Sequence, residues 1–426
     1  MNTSPLTSPP QPVPLRSVPA PALGWALIGN EEAALVSDVL RRKALFRYYG
    51  PEPDSPPPMV ATLEREFAAL LGVRFALGVT SGTAALEIAL AALGVGPGDE
   101  VIVPAWSWVS CFTAVVRVGA RPVLAEIDDT LCLAPGEIAR LRTPRTKVAL
   151  IVHFQGAAAD LDALTAEARE AGIALLEDCA ESPGASHRGR RVGSCGQIAI
   201  FSFQQQKTIT AGEGGMVVTN DARLHERAVR MHDLGQVRDF HAAQFVPREP
   251  AFCGGQYRMS ELTAAVALAQ LRKLEGIREH CRRLSLRLRR QIERLPGLAL
   301  RRIPDPDGES AFETYFWVRT PALRDAFRER LKQARIPCDQ LTGTYAQYRR
   351  PYVATGLAHA PGATPFSPGP HWPAAAYRAE SFPRTEDLIH RFVVIPVGMH
   401  HTEADIDYIS AVIRQAHDEL GGGSAA

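Results

Sequence analysis

The chain has 426 residues, 46% of them hydrophobic, and a formal charge of +1 from 47 basic and 46 acidic side chains. That length and apolar content support a full core and two or three structural units. The near-neutral balance gives no field to attract nucleic acid or an anionic membrane, so a small molecule is the expected partner.

Residues 1–22, rich in Pro, Ser and Thr, read as a disordered tail. They carry neither a charged n-region nor an apolar h-region, and no later stretch approaches a membrane span. The seven cysteines are dispersed, odd in number and without CxxC or zinc-ligand spacing, which reads as reduced core thiols in a cytoplasmic protein with no metal site. From Leu27, IGNEEAALVSDVLRRKALF has helical periodicity, acidic early and basic late as the helix dipole prefers, until RYYGPEPDSPPP breaks it. Between about 60 and 220, amphipathic helices (VATLEREFAALLG, TAALEIALAALG, LDALTAEAREAG) alternate with short apolar runs (FALGVT, EVIVPA, RPVLAEID, KVALIVHF, IALLED, IAIFSF, GGMVVTN). This alternation predicts βαβ units on a mainly parallel sheet, with ligands beyond the carboxyl ends of the strands. Residues 259–296 keep helical periodicity over a length that fits one long helix or two successive ones. Beyond them, TYFWVRT, ALRDAFRERLKQARI, a Pro/Tyr-rich loop through about 382 and HTEADIDYISAVIRQAHDEL predict a smaller α+β unit, and GGGSAA a flexible end.

Three segments carry chemistry. VTSGTAALEIAL places Ser81, Gly82 and Thr83 between a strand end and a helix start, where free N–H groups and two hydroxyls can seat a phosphate; the same turn also serves as an ordinary helix cap. GIALLEDCAESPGA ends a strand on Glu177–Asp178, where a carboxylate can keep a ligand's ring nitrogen protonated or simply cap a helix. IAIFSFQQQKTITAGEGGMVVTND sets Lys207 between Ser202 and a glycine-rich segment. A sheltered lysine forms a Schiff base with an aldehyde and then shuttles protons, although a surface hairpin would hold a lysine in the same way. All three segments in this order make the chemical reading the stronger one.

These segments, with RYYGP, LEREFAALLGV, GVGPGDEVIVPAWSWVS, TPRTK, GRRVGSCG and YRMSELTAAVALAQL, resemble the DegT/DnrJ/EryC1/StrS family of sugar and cyclitol aminotransferases from about residue 25 to 415. The resemblance implies fold type I: a mainly parallel seven-stranded sheet in a large domain, plus a smaller C-terminal α+β domain. It implies the boundaries 23–257 for the large domain with its N-terminal arm, 258–297 for a connecting helix, 298–420 for the small domain and 421–426 for a flexible tail. It further implies pyridoxal 5′-phosphate held by Lys207, with Asp178 on the pyridine nitrogen, Trp108 stacked on the ring and Glu181 near the phenolic oxygen. Ser81, Gly82, Thr83 and Ser202 match phosphate contacts. Many relatives have Asn where this chain has Gln256, a residue that reaches the neighbouring subunit's phosphate, so a homodimer with shared sites is implied and that contact is altered.

The implied reaction moves an amino group from L-glutamate or L-glutamine to a keto-sugar, nucleotide-linked keto-sugar, cyclitol or related oxo intermediate of sugar and antibiotic biosynthesis. Within the family the alternatives are a dehydratase or aromatising lyase of the aminohydroxybenzoate-synthase kind, and a non-catalytic cofactor-binding regulator. Further substrate contacts are expected from His153, Arg258, Tyr345 and His401, each also readable as structural. The arginines between Arg272 and Arg302 alternate with Glu around a helix, as a solvated face does.

Overall fold

The computed structural model describes residues 14–48, 58–338, 345–356 and 377–421. Part of RYYGP, most of the Pro/Tyr-rich loop and all of the GGGSAA end but its first residue lie outside the described residues. The apolar runs form β1 (Phe75–Val79), β2 (Glu100–Pro104), β3 (Arg121–Ala125), β4 (Thr146–Val152) and β5 (Ala174–Asp178). After a short hairpin of β6 (Ser186–His187) and β7 (Arg190–Arg191) come β8 (Ile198–Ser202) and β9 (Gly215–Thr219). Seven of these make one sheet in the order β1-β9-β8-β5-β4-β2-β3, in which β9 runs antiparallel to both neighbours and the other pairings are parallel.

The helices up to the second unit are α1 (Asn30–Arg42), α2 (Met59–Leu71), α3 (Gly82–Ala92), α4 (Ser110–Arg117), α5 (Glu137–Leu141), α6 (Leu161–Ala171), α7 (Ala222–His232), α8 (Asp239–Ala242) and α9 (Glu261–Ile292). Strand alternation divides the sheet's side chains between two cores. In β8, Ile198 and Ile200 pack with Leu86 of α3, Phe112 of α4 and Leu164 of α6, while Ala199 and Phe201 pack with Leu63 and Phe67 of α2 and Leu268 of α9. Burial on both faces is why the strands read as continuous apolar runs. Side-chain caps fix where helices begin: Ser81 Oγ accepts from Ala84 N (3.0 Å) and Ser260 Oγ from Thr263 N (3.1 Å), each worth about 1 kcal/mol.

The periodic stretch after residue 259 is one helix, α9, of 32 residues, about 48 Å long. Its first half lies in the core of the large sheet and its second half, with Leu284, Leu288 and Ile292, in a third core. That core belongs to an antiparallel sheet of β10 (Ala299–Leu300), β11 (Glu313–Trp317) and β12 (Phe392–Pro396), covered by α10 (Pro321–Gln333) and the helix Glu403–Glu419. Residues 16–22, assigned from composition to the tail, pack here: Val18 and Ala22 are buried, Arg16 pairs with Asp405 and Met399 N donates to Ala22 O. Their prolines suit an extended strap that needs few hydrogen bonds of its own. Among the described residues, no helix is long and apolar enough to cross a membrane.

Candidate active site

The residues expected to carry chemistry leave the carboxyl ends of β1, β2, β5 and β8, the end of a parallel sheet where ligands bind. Behind β1, Ser81 caps α3, so the N–H groups of that helix's first turn point outward. Ser202 closes β8 beside it, and the approach is tight: a Cβ on Gly82 would sit 2.7 Å from Ser202 Cβ, and one on Gly215 would sit 2.5 Å from Ser81 O. Thr83 Oγ1 and Ser110 Oγ hydrogen-bond at 2.7 Å. Four hydroxyls and a helix N-terminus thereby make a compact anion seat.

The hairpin from β8 to β9 carries the lysine. Phe203 N donates to Gly214 O and Ala211 N to Phe203 O, while Gly212 (φ +79°) and Gly214 (φ +150°) take backbone angles that side chains resist. This turn is folded inward: the Lys207 side chain is 19% exposed and its Nζ lies 3.4 Å from Glu181 Oε1. The same oxygen accepts from Tyr345 Oη at 2.9 Å. Tyr345 is brought in by backbone pairing of its segment to the β2 end, Ser107 N to Tyr345 O and Gln347 N to Ala105 O (2.9 Å each). Its ring stands 5.8 Å from that of Trp108, which is 44% exposed and so presents an open aromatic face.

Asp178, at the end of β5, accepts from Ala180 N (2.9 Å) and from the Cys111 thiol (3.2 Å). Burial raises its carboxyl above the usual range, against the pull of those donors and of Lys207. Burial and the Asp178 charge keep the Cys111 thiol protonated, well above its ordinary range. Asp178 therefore lies inside Lys207's field with no cation bonded directly to it. Glu181 Oε2 is enclosed without a partner among the described residues. Pyridoxal phosphate fits these residues: the α3 seat suits the phosphate, Asp178 a protonated ring nitrogen, Glu181 Oε2 a ring hydroxyl, and Lys207 the aldehyde carbon.

Other expected residues are placed differently. His153 is fully buried: its Nδ1 accepts from Ala159 N (3.1 Å) and its Nε2 faces Glu177 Oε2 (2.9 Å), so neither nitrogen is open to a substrate. His153, Glu177 and Cys179 bring ligand atoms within 4.8 Å of one another, but Glu177 also takes N–H groups from Gly193, Cys195 and Gly196, which occupies both of its carboxylate oxygens. His401 accepts from Gly398 N and contacts Pro19 O through Nε2, pinning the N-terminal strap and not reaching a ligand. Arg258 pairs with Asp233 and lies over Phe46, the structural alternative to an anion anchor. Gln256 is exposed and bridges by its backbone to Asp233. Tyr348 donates to Glu386, outside this group.

Sequence reasoning passed over Cys111 and the pair Glu313–Tyr315. Tyr315 Oη donates to Glu313, whose carboxyl burial pushes up to about 7 within reach of the charges of Glu181 and Lys207. An acid opening the apolar run ETYFW was the available signal.

Comparison with known proteins agrees with this geometry. The model of the DegT/DnrJ/EryC1/StrS aminotransferase family matches residues 27–414. Among solved structures, 3-amino-5-hydroxybenzoic acid (AHBA) synthase is 31% identical, with 95% of this chain and 100% of that one covered and a TM-score of 0.78. S. venezuelae DesV is 29% identical (93% and 95% covered, TM-score 0.73). DesI, solved in the presence of its TDP-sugar product, is 27% identical (94% of each chain, TM-score 0.72). With the lysine, the strand-end aspartate and the phosphate seat assembled on a seven-stranded sheet, the chain belongs to the DegT/DnrJ/EryC1/StrS family and is a pyridoxal-phosphate-dependent aminotransferase of fold type I.

Proposed function

We propose that the enzyme takes an amino group from L-glutamate or L-glutamine and delivers it to the carbonyl of a keto-sugar, a nucleotide-linked keto-sugar, a cyclitol or a related oxo compound, acting in the cytoplasm as a homodimer. The observation that carries this reading is the convergence of Lys207, Glu181 and Tyr345 on one carboxylate oxygen beside Asp178. Bound pyridoxal phosphate supplies an exchangeable aldehyde and an electron sink. Lys207 would hold it through its amine, and the same amine would move a proton at the donor's α-carbon and at the acceptor carbon. Asp178 would pair with the ring nitrogen and keep it protonated. Glu181, anchored through Oε1 by Tyr345, keeps its second oxygen for the ring hydroxyl, and Trp108 offers its exposed face to the ring. Ser81, Gly82, Thr83 and Ser202 would bind the phosphate, and exposed Gln256, one methylene longer than the Asn of many relatives, stands where that Asn would reach the neighbouring subunit's phosphate.

The aromatising alternative keeps one support, the likeness to AHBA synthase over nearly the whole chain. Spectra of the purified protein with pyridoxal phosphate, before and after L-glutamate or L-glutamine, separate the two. A visible band that Lys207→Ala lacks, converted by a donor to that of pyridoxamine phosphate, is the expected result. A lysine-dependent band that no donor converts would favour the alternative, and no lysine-dependent band would sink both.

A further inference from the structure

One carboxyl at the site has no part in the reaction just described. Glu313 opens β11 and accepts from Tyr315 Oη two residues along, so the two side chains share a face of the strand. The Tyr315 ring lies 6.2 Å from Phe154, and Phe154 meets Tyr345 edge-on at 5.5 Å. Tyr345 in turn donates to Glu181, the carboxylate beside Lys207. Two tyrosine–glutamate pairs, one on the small sheet and one in the segments beyond the carboxyl ends of β2 and β5, therefore stand around a shared aromatic wall, and Glu313 feels the charges of both Glu181 and Lys207.

Positive charge here is committed. Arg301, the guanidinium closest in influence, donates to Thr130 O (2.8 Å) and Phe154 O (2.9 Å) and lies over the Phe154 and Tyr315 rings. Lys207 is taken by the cofactor. Arg258 is held by Asp233.

We propose that Glu313, across the aromatic wall from Glu181, forms with it a carboxyl-lined subsite that receives hydroxyl or ammonium groups of the reacting molecule and disfavours a carboxylate. The inference rests on the transaminase reading above. A carboxyl suits neighbouring hydroxyls in either state: protonated it donates one hydrogen bond, ionised it accepts several. A carboxylate placed there meets two acids without a free cation from the described residues of this chain. Acceptors that are polyhydroxylated or aminated rings fit this lining; a ring acid of the hydroxybenzoate kind does not. Because donor and acceptor occupy one pocket in turn, the subsite also favours the uncharged side-chain end of glutamine over the charged end of glutamate.

Burial sets the Glu313 carboxyl at about 7, so its charge appears across the neutral range. The test measures conversion of the holoenzyme by L-glutamine and by L-glutamate from pH 6 to 8.5, in the wild type and in Glu313→Gln, which keeps shape and the Tyr315 contact. The ratio of kcat/KM for glutamine to that for glutamate should rise about tenfold with pH in the wild type and stay flat in the variant. The apparent pKa of the visible cofactor band, read without any donor, should fall in the variant because a negative neighbour is gone. A ratio with the same pH course in both proteins, with donors still converting the band, overturns the subsite and leaves transamination standing. If neither donor converts the band, the transaminase reading fails and takes the subsite with it.

Discussion

Glu177 and Asp178 are consecutive residues of β5, equally deep in the protein, and their side chains leave the sheet on opposite faces. Glu177 accepts from His153, Gly193, Cys195 and Gly196. Burial would raise its pKa, but these donors outweigh burial and hold it below the usual range. Asp178 accepts from one N–H and one weak thiol donor, and burial wins, so its pKa is raised. The difference teaches which face does chemistry. A carboxylate saturated by its own chain is a brace, tying the loop at 193–196 to the sheet; one left under-satisfied at the carboxyl end of a parallel strand has capacity reserved for a ligand.

Substitutions at the two positions should separate rate from stability. Asp178→Asn removes the charge proposed to pair with the ring nitrogen, so kcat/KM should fall about 10²- to 10³-fold, while the apoprotein, relieved of a buried and poorly solvated charge, melts no lower than the wild type. A fall of less than tenfold would show that Asp178 does not govern the ring. Glu177→Gln should do the opposite. It sets an amide N–H₂ either against the N–H groups of Cys195 and Gly196 or against Gly193 N–H and His153, and leaves His153 without its carboxylate, at a cost of about 3 kcal/mol of stability, measured by urea denaturation, with turnover per folded molecule within a few-fold. Because Glu177 is held below the ordinary carboxylate range, its stabilisation is present at neutral pH and is lost as pH falls through that lowered value.

How much of this was legible in the sequence follows the same division. The seven strands of the large sheet were readable because burial on both faces makes continuous apolar runs, and Lys207, Asp178 and the SGT turn because each sits where a run ends. The histidines were not readable: His153 and His401 look like strand-end and loop ligands, and only their partners, Ala159, Glu177, Gly398 and Pro19, show both rings to be consumed within the chain. Arg258 depends in the same way on Asp233, 25 residues earlier. Glu313 could not be assigned from its own segment, since its role comes from Glu181 and Lys207, which lie more than a hundred residues away and meet it only once α9 has placed the small sheet against the large one.

Glu313 also supplies the smallest and most diagnostic test, because it resembles Asp178 in environment and Glu177 in residue type. Its pKa is raised from 4.5 to about 7 in the folded protein. Below the unfolded value it is protonated in both states and costs nothing. Between 4.5 and 7 the unfolded chain releases the proton and the folded one keeps it, so stability is lost as pH rises; above 7 the penalty is constant. The shift taken whole would amount to about 3 kcal/mol; solvent screening of the half-buried side chain brings the expected penalty to about 1–2 kcal/mol. Glu313→Gln should therefore be more stable than the wild type at pH 8.5 by that amount, with a smaller gain at pH 5.5, in denaturant titrations of the apoprotein. A variant less stable at both pH values would make Glu313 a brace like Glu177. A gain that appears only on the alkaline side would place it with Asp178, as a residue whose position costs the fold stability.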